Sequence, residues 1–252
     1  MAGLLLAFVV GACIGSFLNV LVFRTRTHEA PNGRSRCQRC QRVLTPLELV
    51  PIASFLALRG RCRGCRKPIS AQYPLVETAV GCLFAFVYRS HGMPLDFSLP
   101  LIRDLAFVSI LALLFTYDLK YKLLPDRFTL PAIAVAFGLN VWLGRRPTEL
   151  SMGAALAGGF FLLQYVLSRG RWIGGGDIRL GVLMGSMLGL PATLGALVIA
   201  YVIGALVGLG LLVAKKADGK TEIPFGTFLT ASTFLMLFWG ERIIGWYLGF
   251  VT

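Results

Sequence analysis

Two aspartates stand where an aspartate is costly. Asp118 closes a long apolar run in Phe115-Thr-Tyr-Asp118-Leu-Lys-Tyr-Lys-Leu-Leu-Pro125-Asp126, and Asp177 follows Gly174-Gly175-Gly176 at the head of a shorter one. An ionisable residue at a membrane-crossing segment marks a functional site by default. Although 58 residues lie between them, threading the chain through a bilayer puts both at the same boundary. Two carboxylates brought within a few ångströms share one proton, because they cannot both ionise. The ionised member can then take a proton from water while its partner polarises a carbonyl, which is amide hydrolysis. Glycines beside Asp177 admit a substrate backbone and dihedrals closed to other residues. Simpler readings stay open here: Asp177 as a helix cap, Asp118 paired with Lys120 or Lys122, and Asp126 as a cap behind Pro125.

A second constellation is sulfur. Cys37-Gln-Arg-Cys40 and Cys62-Arg-Gly-Cys65 are two C-x2-C knuckles with 21 residues between them. Four thiolates close a tetrahedral shell around zinc, and each short turn can offer both sulfurs to one ion. The gap lies just beyond the usual window for paired knuckles. Nearby arginines favour the thiolate. Disulfides are the alternative, and a reducing compartment disfavours them. Cys13 and Cys82 sit inside apolar runs and read as packing residues.

The elements that position these groups must be membrane helices. Of 252 residues, 56% are hydrophobic and only 15% charged, and the mean hydropathy is +0.72. Soluble domains carry about a quarter charged residues. A spanning helix needs about 20 mostly apolar residues, and such runs fall near 2–23, 72–90, 100–117, 128–144, 149–168, 178–190, 192–213 and 224–250. They are unbroken rather than alternating, which excludes a barrel and leaves an all-α polytopic protein of about eight spans. The sixth run is too short to cross alone and is expected to start in a water-accessible cavity or to form a hairpin with the seventh. No internal repeat is evident.

The net charge of +13 is concentrated, not spread. Eleven Lys and Arg lie from Arg24 to Lys67 against Glu29 and Glu48, with later clusters at Lys120, Lys122 and Arg127, at Arg169 and Arg171, and at Lys215, Lys216 and Lys220. Basic short loops mark the cytoplasmic side, so no nucleic-acid partner is expected, and lipid is the solvent. Arg89, Arg103, Arg145 and Arg146 fall on the far side as exceptions. The division expected is a first helix over 1–23, a cytoplasmic four-cysteine insert over 24–71 resembling a zinc ribbon, and a membrane core over 72–252. Glu77 and Asp104 are expected to pair with nearby cations. His28 and His91 lie in polar stretches, so a Ser-His or Cys-His nucleophile is disfavoured, and no P-loop is present. A transporter using the same aspartates as ion ligands on a broken helix is the main rival.

Asp118 with Leu-Leu-Pro-Asp126 behind it, and Gly174-Gly175-Gly176-Asp177, resemble the two signatures of bacterial type IV prepilin peptidases, which are GxGD-type intramembrane aspartyl proteases. Gly11-Ala-Cys-Ile-Gly15-Ser-Phe-Leu-Asn19 through Arg24 is similar to that family's opening helix, and Ile69-Ser-Ala-Gln-Tyr73-Pro-Leu-Val-Glu77 to the exit from its insert. The resemblance implies cleavage of the basic leader from type IV prepilins or type II secretion pseudopilins at the cytoplasmic face of the bacterial inner membrane. It implies Asp118 and Asp177 as catalytic residues, with Gly174, Gly175, Gly176, Arg179 and Asp126 in support. It further implies methylation of the new amino terminus by S-adenosylmethionine, at residues the sequence does not mark. Arg179 replaces the family's usual Lys, and Gln38 stands where Pro is frequent.

Overall fold

The computed structural model describes residues 1–30, 32–93, 98–214 and 223–251. The basic cluster at 215–220, with Asp96, Asp218 and Glu222, lies outside the described residues. Among the described residues the only extended pairings are two isolated bridges. The helices are α1 (Ala2–Arg26), α2 (Ala53–Ala57), α3 (Gln72–Ser90), α4 (Leu99–Tyr121), α5 (Asp126–Trp142), α6 (Pro147–Ser168), α7 (Gly175–Leu188), α8 (Leu190–Val213) and α9 (Phe225–Val251). All but α2 coincide with the eight apolar runs. Two compact units, Met1–Ser109 and Ile110–Thr252, divide within α4.

In the first unit α1 and α3 pack along each other through small residues. A Cβ on Gly11 would meet Phe84 Cβ at 2.6 Å, and one on Gly15 would meet Glu77 Cα at 2.9 Å. Small residues four apart permit this approach. The α1 helix runs on to Arg26, and buried Arg24 turns the chain by donating to the carbonyls of Ala30, Asn32, Gly33 and Arg34. The insert then forms two matched knuckles. Cys37 N–H donates to Arg42 O and Gln41 N–H to Cys37 O; 25 residues later Cys62 N–H donates to Lys67 O and Arg66 N–H to Cys62 O, all at 2.9–3.0 Å. Each is closed by one bridge, Arg36 to Val43 and Arg61 to Pro68. This short structural repeat escapes a sequence search, because little beyond the cysteines and a leading arginine is shared.

In the second unit α7 is the central helix, packed against α5, α6, α8 and α9. Leu180, Gly181 and every residue from Leu183 to Leu188 are buried. Its 14 residues rise only about 21 Å, short of a bilayer core of about 30 Å. Helices, not lipid, surround it, so its length need not match the bilayer. Its C-terminal carbonyls are capped from outside: Asn140 Nδ2 donates to Ser186 O and Met187 O, and Arg145 to Leu188 O. Gly189, at φ +78°, is the single residue joining α7 to α8, a conformation other residues rarely adopt.

Among the described residues four helices, α1, α4, α6 and α8, are long and apolar enough to cross a membrane by length and composition, against about eight spans expected. The others fall short for visible reasons. With 17 and 14 residues, α5 and α7 are short, while α3 contains Glu77 and Arg89 and α9 contains Glu241 and Arg242. Two of the exceptional arginines also find structural work, since Arg145 caps α7 and Arg103 pairs with Asp104.

Candidate functional site

Three helix ends of the second unit build one site. Asp118 sits near the C-terminus of α4, with only 5% of its surface exposed. Its Oδ2 accepts the backbone N–H of Thr227, at the start of α9, at 2.8 Å. Asp177 is the third residue of α7, where its Oδ2 accepts the Gly174 N–H at 3.1 Å while its own N–H donates to Gly174 O. Each carboxylate is thus held through one oxygen by a helix-start N–H. Among the described residues the other oxygen has no hydrogen-bond partner in either case. The two charges lie close enough to interact electrostatically, as do Asp177 and Tyr201 of α8.

The capping reading of Asp177 is therefore correct as geometry, and it leaves one oxygen free for chemistry. No ion pair joins Asp118 to Lys120 or Lys122 among the described residues. Asp126 is the first residue of α5, with Pro125 at its cap, and pairs with Arg179 of α7. That ion pair links the start of α5 to the first turn of α7. The three glycines are needed for space, not dihedrals. None has positive φ, but a Cβ on Gly176 would lie 2.9 Å from Leu124 Cβ.

Sequence reasoning missed the other wall. A Cβ on Gly226 would lie 2.9 Å from both Cγ and Oδ2 of Asp118, and 3.1 Å from Leu124 Cδ1. The signal was Pro224-Phe225-Gly226-Thr227, a proline and a glycine opening an apolar helix. Tyr201, stacked edge-on against Phe225 at 4.9 Å and Phe160 at 5.8 Å, gives the site an aromatic flank.

The first unit gathers the sulfurs. All four of Cys37, Cys40, Cys62 and Cys65 have Sγ within 4.8 Å of one another, with Cys37–Cys65 at 3.9 Å and Cys40–Cys62 at 4.0 Å. Sulfurs about 2.3 Å from a tetrahedral zinc lie roughly 3.8 Å apart, so the donor set fits that ion. None is in a disulfide. The N–H groups of Cys65 and Gly64 pull the Cys62 thiol down to about 6. At Cys65 the Lys67 N–H pulls down, but burial and the neighbouring thiols prevail and push it up to about 11. Glu77 departs from expectation. It has no cation partner among the described residues and accepts the Ile52 N–H at 2.7 Å. Asp104 behaves as expected, bound by Arg103 at 2.8 Å and His91 at 2.9 Å.

Comparison with known proteins places both units. Residues 9–91 match the bacterial peptidase A24 N-terminal domain, and residues 105–209 match the type IV leader peptidase family. A prepilin leader peptidase/N-methyltransferase of Bacillus subtilis is 34% identical over 250 residues, 96% of each chain. The protein of that name from Aeromonas hydrophila is 33% identical over 96% of this chain and 93% of its own. The one from Myxococcus xanthus is 40% identical over 85% of this chain and 65% of its own. No solved structure matches. With both modules in order and relatives matched nearly end to end, the chain belongs to the bacterial type IV leader peptidase family.

Proposed function

We propose that this chain removes the leader peptide from type IV prepilins, with Asp118 and Asp177 as its catalytic pair. The reading rests on the convergence of two carboxylates from different helices, each pinned through one oxygen and open at the other. With one proton between them, the ionised aspartate takes a proton from a water molecule, whose oxygen attacks the scissile carbonyl. The protonated aspartate donates to the carbonyl oxygen, and collapse of the adduct transfers a proton to the leaving amine. Arg179, held by Asp126, keeps the loop in place without pairing with Asp177. Gly174 and Gly175 leave room for an extended substrate backbone.

The wider reading follows the relatives. The enzyme lies in the bacterial inner membrane with the site on the cytoplasmic side, on the side of the basic loops. Its substrates include secretion pseudopilins as well as prepilins. Residues 24–71 form a cytoplasmic insert between the first helix (1–23) and the protease core (72–252), and Cys37, Cys40, Cys62 and Cys65 hold a structural zinc. The new amino terminus is then methylated by S-adenosylmethionine. The amine nitrogen bonds the methyl carbon and sheds one proton, while the donor sulfur keeps the pair of the broken bond and leaves as neutral S-adenosylhomocysteine.

Co-expression with a prepilin tests the core of this. Asp118→Asn and Asp177→Asn are each expected to lower the rate of leader removal on the order of 10³-fold while the protein stays in the membrane. Undiminished processing by either variant refutes the two-carboxylate mechanism.

A further inference from the structure

A polar pair stands where the second unit turns an apolar side outward. Gln164 of α6 and Tyr201 of α8 bond each other twice. Gln164 Nε2 donates to the Tyr201 hydroxyl at 2.9 Å, and that hydroxyl donates to Gln164 Oε1 at 3.0 Å. Both helices are long and apolar enough to cross a membrane, and Tyr201 lies midway along α8. The chain neighbours are exposed aliphatic side chains, Leu163 and Val166 on α6 and Val198 and Val202 on α8. Polar groups in such surroundings are costly unless they are partnered. A primary amide has two N–H donors and two carbonyl lone pairs. Tyr201 takes one of each, and among the described residues the second N–H and the second lone pair of Gln164 have no partner.

The pair adjoins the carboxylates. Tyr201 interacts electrostatically with Asp177, and its ring packs on Phe225 at 4.9 Å, whose neighbour Gly226 abuts Asp118. Phe160 closes the other side of the Tyr201 ring at 5.8 Å. The lipid-facing edge of the site therefore carries one donor and one acceptor, the complement of a peptide unit. A substrate that arrives through the bilayer as a helix must be opened before its scissile carbonyl can reach the carboxylates. Each opened residue releases an N–H and a C=O that lipid cannot satisfy. The basic leader stays in water, so the residues that meet a lipid-facing pair are those that follow the cut.

We infer that Gln164 binds the substrate main chain just after the scissile bond, with Tyr201 as the positioning residue that holds its amide. The inference rests on the peptidase reading above and extends it to substrate recognition. Every residue carries the same backbone groups, so this contact favours an unwound segment without selecting a sequence.

Steady-state kinetics of the full-length protein in detergent micelles, with a purified prepilin as substrate, test the contact. An interaction made equally in the bound substrate and the transition state changes KM and leaves kcat alone. In Gln164→Leu, KM is expected to rise about tenfold, the scale of leaving a desolvated backbone group without its hydrogen bond, with kcat held within about twofold. Tyr201→Phe keeps the ring and should raise KM by about threefold, and the double variant should match Gln164→Leu alone, because Tyr201 acts through Gln164. An unchanged KM in Gln164→Leu, a fall confined to kcat, or additive effects of the two substitutions overturns the inference. If Gln164→Leu fails to fold, a photoreactive benzoylphenylalanine at position 201 decides the matter. In an Asp177→Asn background it is expected to capture prepilin at the residues just after the cut, and capture of the leader alone, or no capture, overturns the inference. Those failures leave the two-carboxylate mechanism intact when Asp118→Asn abolishes cleavage. Undiminished cleavage by Asp118→Asn removes the peptidase reading and this contact with it.

Discussion

The sulfur cluster and the aspartate pair both converge side chains on a point, but with very different lengths of chain. Each knuckle fixes two sulfurs inside about eight residues by its own backbone hydrogen bonds. The carboxylates meet only because α4, α7 and α9 end together, with Thr227 contacting Asp118 from 109 positions away. A locally encoded site tolerates strain elsewhere in the fold. A site made by packing fails when one helix end shifts. The two should therefore break independently, and in different ways.

The largest effect is expected where packing is tightest. Gly226→Ala puts a methyl 2.9 Å from the Asp118 carboxylate, and so displaces either that group or the N-terminus of α9. Leader removal is expected to fall by about 10²-fold, the scale that a displacement near 1 Å produces, with metal content unchanged. Gly138→Ala is the control, because its Cβ meets nothing within 4 Å. Gly226→Ala processing at more than a third of the wild-type rate would mean that Asp118 is not held as described.

Next comes the metal. Cys62→Ser, or chelation, is expected to remove one zinc per chain and leave the insert sensitive to proteolysis, since structural zinc sites supply folding energy outright. Leader removal should change much less than in Gly226→Ala. Equal loss of cleavage in the two variants would end the claim of independence.

This contrast also explains what the sequence disclosed. The knuckles were legible because both partners of each sulfur pair lie three residues apart. The eight helices were legible from apolar runs, although among the described residues four have the length and composition to cross a bilayer. Asp118 and Asp177 were legible as misplaced charges, but spacing alone did not separate a catalytic Asp177 from a capping one; it caps, with an oxygen to spare. Gly226 and Thr227 were invisible, because a glycine's meaning lies in what its missing Cβ would strike. The carboxylate of Glu77 was misjudged as an ion pair, since its true partners, Ile52 and Ser16, are recognisable only in three dimensions.

A finer test concerns chemistry inside the sulfur cluster. In metal-free protein, Cys62 should alkylate with iodoacetamide at a rate that rises through pH about 6, whereas Cys65 reaches its full rate only near pH 11. At pH 7 peptide mass spectrometry is expected to find Cys62 modified well before Cys65, because the thiolate is the nucleophile. Equal rates for the two would show that the N–H groups of Cys65 and Gly64 do not favour the Cys62 thiolate.

The smallest effect belongs to Glu48, which joins the knuckles to the rest of the insert. The N–H of Thr45 and the guanidinium of Arg42 hold its carboxyl down at about 2 against an ordinary 4.5. A depressed folded value means that the carboxylate stabilises the insert fully above about pH 4.5, and that this contribution fades as pH falls through about 2. Arg42 is partly exposed, so solvent screens the pair and its contribution is small. Glu48→Gln keeps a capping side chain and loses only the charge. In metal-free protein, amide exchange at Thr45–Leu49 should be modestly faster in Glu48→Gln than in the wild type at pH 7. The corresponding difference in unfolding free energy should vanish on acidification from about 4.5 toward 2, where the wild type also becomes neutral. A difference that persists at the lowest pH would assign the effect to packing, and would remove electrostatics from the account of how the insert holds its knuckles.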